Sequence, residues 1–179
     1  MSEEKYKYKT DNNEILIRIV QASDSVHEIT SLLHKAYKQL ADMGFRFLAT
    51  HQSEDETLRR LNKGISYLAL SEDKIISTVS LYYNDLDTHD ASWYKKSGVA
   101  HFGQFAVLPE YQKLGIGNFM MNIVEERAKR EGAVELALDT AEGAEHLIKY
   151  YKQRGYRFIE YVKWEVTNYR SVIMSKRLL

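Results

Sequence analysis

Two glycines one residue apart, Gly115 and Gly117, follow the chain's only proline, Pro109, and stand just before an apolar stripe of helical spacing. Glycine at a helix N-terminus removes β-carbons, so an anion can approach amide groups that have no partner inside the helix. Three kinds of chemistry compete for this stretch: a strand-to-helix turn with no ligand, a dinucleotide cradle, or a cradle for another phosphate-bearing cofactor. No GK[ST] follows, so the nucleoside-triphosphate loop is absent. Asp139 stands 22 residues after Gly117, near the spacing of a ribose-binding acid. Against the dinucleotide reading, Met120 occupies the third glycine position, and the loop 109–114 separates strand from glycine where that turn is tight.

Composition narrows the options further. The chain has 179 residues, with 25 basic and 25 acidic side chains, so no overall field favours nucleic acid or an anionic membrane. It has no cysteine, which removes disulfides, thiol nucleophiles and cysteine-zinc sites and fits a reducing compartment. The first residues, MSEEKYKYKTDNNE, carry no apolar signal core, and no window reaches the length of a membrane span. A cytoplasmic protein of one domain is expected, with 1–13 as a charged N-terminal arm for which disorder is one option.

The elements that must position the glycines follow from periodicity. Segment 15–21 alternates apolar and polar residues as a half-buried strand does. Ser23 and Asp24 offer a cap for a helix whose stripe is Val26, Ile29, Leu32, Leu33, Ala36, Tyr37 and Leu40, ending at Gly44. Ser53 with Glu56 has the capping-box spacing for a short helix ending at Gly64. Segments 65–70 and 75–83 form a hairpin across SEDK. A strand at 100–108 precedes the glycines, and a helix follows that closes near Gly132. Then come a strand at 134–138, a helix carrying Ala144, Leu147, Ile148 and Tyr151 that stops at Gly155, and strands at 158–166 and 171–178. The order implies an α/β domain on a mixed sheet, with parallel crossovers flanking the glycines.

Gln112-x-x-Gly115-x-Gly117, preceded by a strand ending AVLPEY, resembles the acetyl-CoA signature Q/R-x-x-G-x-G/A of the GNAT superfamily of N-acetyltransferases. LALDT followed by AEHLIKYYKQRGYRF is similar to the family's next strand and helix. The match is specific over about residues 100–160 and architectural before that. The resemblance implies a single-domain GNAT-like fold over 14–179: a mixed, mostly antiparallel twisted sheet of about seven strands with about four helices, its central strands splayed at the cofactor. It implies an enzyme that takes acetyl from acetyl-CoA as cosubstrate to a primary amine, by direct attack in a ternary complex. The acceptor stays open between a small-molecule amine and a peptide or protein amine. A non-catalytic acyl-CoA sensor and, further off, a dinucleotide-binding protein are the alternatives. No nucleic acid, membrane or metal is expected, and the chain is a monomer or homodimer.

Acyl transfer to an amine sets three requirements. The diphosphate must be held, and the resemblance assigns this to Gln112, Lys113, Leu114, Gly115, Ile116, Gly117 and Asn118. The amine must be neutral; with a pKa of about 10.4 the free base costs roughly 4.6 kcal/mol at pH 7. The developing oxyanion needs a donor and the departing thiolate a proton. By resemblance the Val107 N–H meets the thioester carbonyl, Phe105 and Ala106 flank the pantetheine arm, and Tyr151 is the general acid. Tyr150 is the weaker neighbour, and a core tyrosine is the competing reading of Tyr151. Where some members carry a glutamate, this chain has His101, a residue type whose unperturbed pKa is about 6.5, as the candidate base, against a structural histidine or a water chain. Gln104 could orient a water; Glu110 reads as surface. Asp85, Asp87 and Asp90 hint at a cation site but lack the EF-hand glycine and glutamate. His27 and His34 imply no metal. Phe45, Phe47, Trp93 and Tyr94 either line the acceptor pocket or simply pack.

Overall fold

Four helices and eight strands make up the fold in a computed structural model that describes residues 4–83 and 91–178. Helix α1, Val26–Asp42, buries the stripe Ile29, Leu32, Leu33 and Leu40. Its cap is Ser25, whose hydroxyl accepts from the Glu28 N–H. Neither Ser23 nor Asp24 takes that place, because Asp24 is held by two hydrogen bonds from Arg18 (2.8 and 2.7 Å) and one from the Gln21 N–H. Helix α2, Glu54–Lys63, is capped by Ser53 as its spacing predicts. The Glu56 carboxylate turns to Arg59 instead of closing the box.

The strands are β1 (Lys5–Lys9), β2 (Glu14–Ile19), β3 (Ile65–Ser71), β4 (Lys74–Tyr83), β5 (Val99–Val107), β6 (Glu135–Ala141), β7 (Arg157–Val162) and β8 (Ser171–Arg177). They form one sheet in the order β1-β2-β3-β4-β5-β6-β8-β7. Every pairing is antiparallel except β5 with β6. That parallel pair is joined through helix α3, Ile116–Arg130, as a crossover requires. Helix α4, Glu145–Gln153, links β6 to the edge strand β7, and β8 returns between them.

The eighth strand beyond the expected seven lies within the charged N-terminal segment. In KYKYK the lysines are exposed and the tyrosines half-buried, and β1 pairs with β2 along its whole length. Glu4 fastens this edge by accepting from Tyr6 (2.6 Å), Tyr67 on β3 (2.8 Å), Arg127 on α3 (2.7 Å) and Arg130. Helices α1 and α3 pack against the central strands β4 and β5, and α2 against β3 and β4, where Leu68, Ile76, Val79, Leu81, Met120 and Val124 are fully buried. Strand β7 stops at Val162, short of the expected 166, as the Trp164 indole turns inward to donate to Asp139 (3.0 Å). Among the described residues, no helix is long and apolar enough to cross a membrane.

Candidate active site

The site begins where β5 and β6 part. They pair only at Val99–His101 with residues 135–137, although β5 continues to Val107 and β6 to Ala141. The cause lies on the other side of β5. There Thr78 pairs with Ala106 and Ser80 with Gly103, so Gln104 and Phe105 together oppose Val79. An extra residue bends a strand and increases its twist. Gln104 takes φ +48°, an unusual value for a side-chain-bearing residue. It is held by a buried relay in which Gln52 donates to Gln104 (2.8 Å) and Gln104 donates to Ser80 (3.2 Å).

The parting exposes one edge of β5. The Leu108 N–H donates to the Ile76 carbonyl on the β4 side (2.9 Å). Successive backbone groups on a strand face opposite edges, so the Val107 N–H faces the gap that β6 has left. The carbonyls on this edge are used by side chains: Phe105 accepts from the Tyr37 hydroxyl (3.0 Å) and Val107 from the Gln112 amide (3.0 Å).

Beyond Val107 the chain makes a short 3-10 turn at Pro109–Tyr111 and enters α3. Lys113 has φ +64° and Gly115, the cap residue, φ +81°. The first helical hydrogen bond runs from the Phe119 N–H to the Gly115 carbonyl (3.0 Å). Among the described residues, none of the six N–H groups from Lys113 to Asn118 has a hydrogen-bond acceptor. Six free donors at the positive end of a helix form a cradle suited to a diphosphate. The two glycines serve different ends. Gly115 needs its left-handed backbone, and a β-carbon there would collide with the Tyr8 hydroxyl, which donates to the Leu114 carbonyl (2.8 Å). Gly117 is not left-handed, and a β-carbon there would meet Phe105 and Val107 at ordinary contact distances of 3.4 and 3.6 Å.

Helix α4 brings its tyrosines to this region. Tyr151 is 8% exposed, packs against Phe102, Tyr150 and Tyr156, and its hydroxyl has no hydrogen-bond partner among the described residues. Burial pushes its pKa well above the usual phenol value, helped by Tyr37, Tyr150 and Asp139. The Tyr150 hydroxyl instead donates to Asn118 at the cradle (2.8 Å). His101 lies on the last paired step before the strands part, stacked on Tyr94 (ring centroids 4.1 Å apart, 9° between planes) and tilted against Tyr82 (5.1 Å).

A model of the acetyltransferase (GNAT) family matches residues 27–156. The chain belongs to this family. This GNAT chain is similar to S-(2-succino)cysteine N-acetyltransferase of Bacillus subtilis (strain 168), with 29% identity over 134 residues, covering 72% of this chain and 76% of that protein. Its fold resembles a GNAT acetyltransferase from Elizabethkingia anophelis with acetyl-CoA bound (TM-score 0.65, 19% identity, covering 94% of this chain and all of that one). It also resembles the ribosomal-protein-S18-alanine N-acetyltransferase of Escherichia coli (TM-score 0.68, 14% identity, 92% and 94% covered). The GNAT chain is thus an N-acetyltransferase that uses acetyl-CoA as acetyl donor. The empty-handed amides of 113–118 fit that donor's diphosphate.

The remaining residues singled out by the sequence have varied surroundings in this GNAT chain. Asp139 does not serve a ribose at the glycine turn: it accepts from Trp164 (3.0 Å), Tyr94 (3.3 Å) and Ser171 (3.2 Å). Burial pushes the Tyr37 hydroxyl up to about 12, with Arg60 acting against the rise and Asp139 adding to it. Tyr37, Tyr151, Asp139 and Arg60 therefore gather about the parted strands; in the sequence Tyr37 belongs to a helix stripe. No pattern marks Arg60, since it meets β5 only through the fold. Phe47 joins the group by contact with Tyr37 (5.4 Å), and Phe45 reaches Tyr169 (6.0 Å). Trp93 lies under Lys96 (4.0 Å). His27 and His34 have separate partners, Glu54 and the Gln52 carbonyl. Glu110 is on the surface with Lys74 (3.0 Å). Asp85, Asp87 and Asp90 lie outside the described residues; among those described, no group of three His, Cys, Asp or Glu could hold a metal.

Proposed function

We propose that this GNAT enzyme acetylates the primary amine of a small amino-acid conjugate by direct attack in a ternary complex. The observation that carries the reading is the gap between β5 and β6: the Val107 N–H faces it, the cradle continues from the same strand, and Tyr151 packs against Phe102 of that strand. The small acceptor is supported by the relative from Bacillus subtilis, whose substrate is a cysteine conjugate.

Acetyl-CoA supplies a thioester already activated toward amines. In the proposed reaction the amides of Lys113–Asn118, with Gln112 ordering the loop, hold the diphosphate, and Phe105 and Ala106 flank the pantetheine arm. The Val107 N–H donates to the carbonyl oxygen as charge develops on it. Tyr151, kept protonated by burial, gives its proton to the departing sulfur. His101, directly or through water, takes the proton from the amine. The chain has no cysteine to carry the acetyl group between substrates, which favours direct transfer.

The test is initial-rate kinetics with both substrates varied, reading free thiol release for S-substituted cysteines and for lysine peptides. Intersecting reciprocal plots with cysteine conjugates as the better acceptors support the proposal. Parallel plots, or a preference for peptides, overturn it.

A further inference from the structure

Arg60 is a guanidinium with no carboxylate partner among the described residues. No acidic group among them lies within ion-pairing distance, and Nη1 donates to the Gln52 amide oxygen (2.7 Å). On the same helix Glu56 accepts two hydrogen bonds from Arg59. Partly buried charges are usually matched, because removing a cation from water costs free energy unless an anion or a set of acceptors compensates.

The side chain is also aimed. Gln52 is 2% exposed and is fixed in turn by its amide, which donates to Thr57 (2.7 Å) and to Gln104 at the bulge (2.8 Å). This relay fixes Nη1 and leaves the other edge of the guanidinium over β5. Nη2 stands 3.0 Å from where a β-carbon of residue 103 would be, and residue 103 is glycine. The absent side chain lets the charge lie against the strand, beside the Tyr82 ring, on the stretch that leads into the gap.

Resting on the amino-acid reading above, we infer that Arg60 binds a carboxylate of the acceptor, and that this carboxylate lies several bonds from the amine. The distance decides which carboxylate. Gly103 and Val107 are four residues apart, about 13 Å if fully extended and less across the bulge. The reacting amine must come within about 3.5 Å of the carbonyl carbon held at Val107. An α-carboxylate, its carbon only two bonds from the amine nitrogen, cannot span the remainder, whereas a carboxylate at the end of an S-linked side chain can. The acceptor class is thus an S-carboxyalkyl cysteine or an amino acid of similar length and charge.

The experiment compares S-(2-carboxyethyl)cysteine with S-propylcysteine, which differ by the terminal carboxylate, in the wild-type enzyme and in Arg60→Gln and Arg60→Lys. A charge-assisted pair predicts a wild-type preference in kcat/KM of roughly tenfold to a hundredfold for the carboxylate, expressed in KM. The preference should fall to within about threefold in Arg60→Gln and be partly kept in Arg60→Lys, since lysine keeps the charge without the fork. Equal use of both acceptors by the wild type, or a preference that survives Arg60→Gln, overturns the Arg60 assignment alone. If the wild type turns over neither cysteine while acetyl-CoA still raises its melting temperature, the amino-acid reading fails and the inference falls with it. The wild-type comparison needs no variant to fold.

Discussion

Substituting each glycine of the cradle by alanine should move stability in opposite directions. At Gly115 the backbone has φ +81°, and a side-chain-bearing residue in that region costs about 1–2 kcal/mol. The new β-carbon would also displace the Tyr8 hydroxyl and break its bond to the Leu114 carbonyl, a further loss of about 1 kcal/mol. Alanine restricts the unfolded chain and returns about 0.5 kcal/mol, leaving Gly115→Ala destabilised by about 2 kcal/mol. At Gly117, already in α3 and with ordinary contacts to Phe105 and Val107, only the favourable part remains, so Gly117→Ala should gain about 0.5–1 kcal/mol. For a chain of this size a gap of about 2.5–3 kcal/mol is a melting-temperature difference of about 5–12 °C. Thermal unfolding followed by circular dichroism measures it. Titration calorimetry should show that Gly115→Ala binds acetyl-CoA at least tenfold more weakly, since its strain reorients the row of amides. The same shift in both variants, or a larger loss at Gly117, would refute the assignment of backbone strain to Gly115 alone.

Tyr151→Phe keeps the ring packing and removes the proton; kcat should fall by roughly a hundredfold, with acetyl-CoA affinity within a factor of about three. Unchanged turnover would leave Tyr151 as a packing residue. Because burial holds its pKa well above 10, the wild-type rate should show no alkaline fall from Tyr151 below pH 10. His101→Ala should abolish the acidic limb of the pH–rate profile; a limb that persists removes His101 as base. Burial tends to raise the Glu4 pKa, but hydrogen bonds from Tyr6, Arg130, Tyr67 and Arg127 outweigh it and hold the carboxyl at about 2. A depressed folded value stabilises above the ordinary carboxylate range, near 4.5, and the contribution is lost as pH falls toward 2. Glu4→Gln should therefore cost about 1–2 kcal/mol at pH 7, allowing for solvent screening, with the difference closing near pH 2 in urea titrations. A pH-independent difference would count against the clamp.

Periodicity made the helices legible. The stripes of α1, α3 and α4 depend only on neighbours within two turns, and their ends carry glycines with positive φ at 44, 132 and 155. The glycine pair and Gln112 were legible because the cradle is one contiguous stretch. Strand β1 is hard to read although KYKYK alternates, since its half-buried face consists of tyrosines instead of aliphatic residues. The parting of β5 and β6 left no local mark: it comes from a register shift against β4 and from Gln104, whose φ is sustained by Gln52 from a distant loop. Asp139 invited a ribose reading on spacing alone, and only the fold places Trp164, Tyr94 and Ser171 around it. Arg60 sits on the polar face of a short helix and gains meaning through Gly103, 43 residues later.

The most direct test of the central claim is calorimetric titration of the protein with acetyl-CoA and with acetyl-pantetheine and acetyl-phosphopantetheine, two fragments that lack the diphosphate. The amide row at Lys113–Asn118 predicts a saturable single site for acetyl-CoA, with the fragments without diphosphate at least a hundredfold weaker. Equal affinity with and without the diphosphate, or no binding of acetyl-CoA, would contradict it.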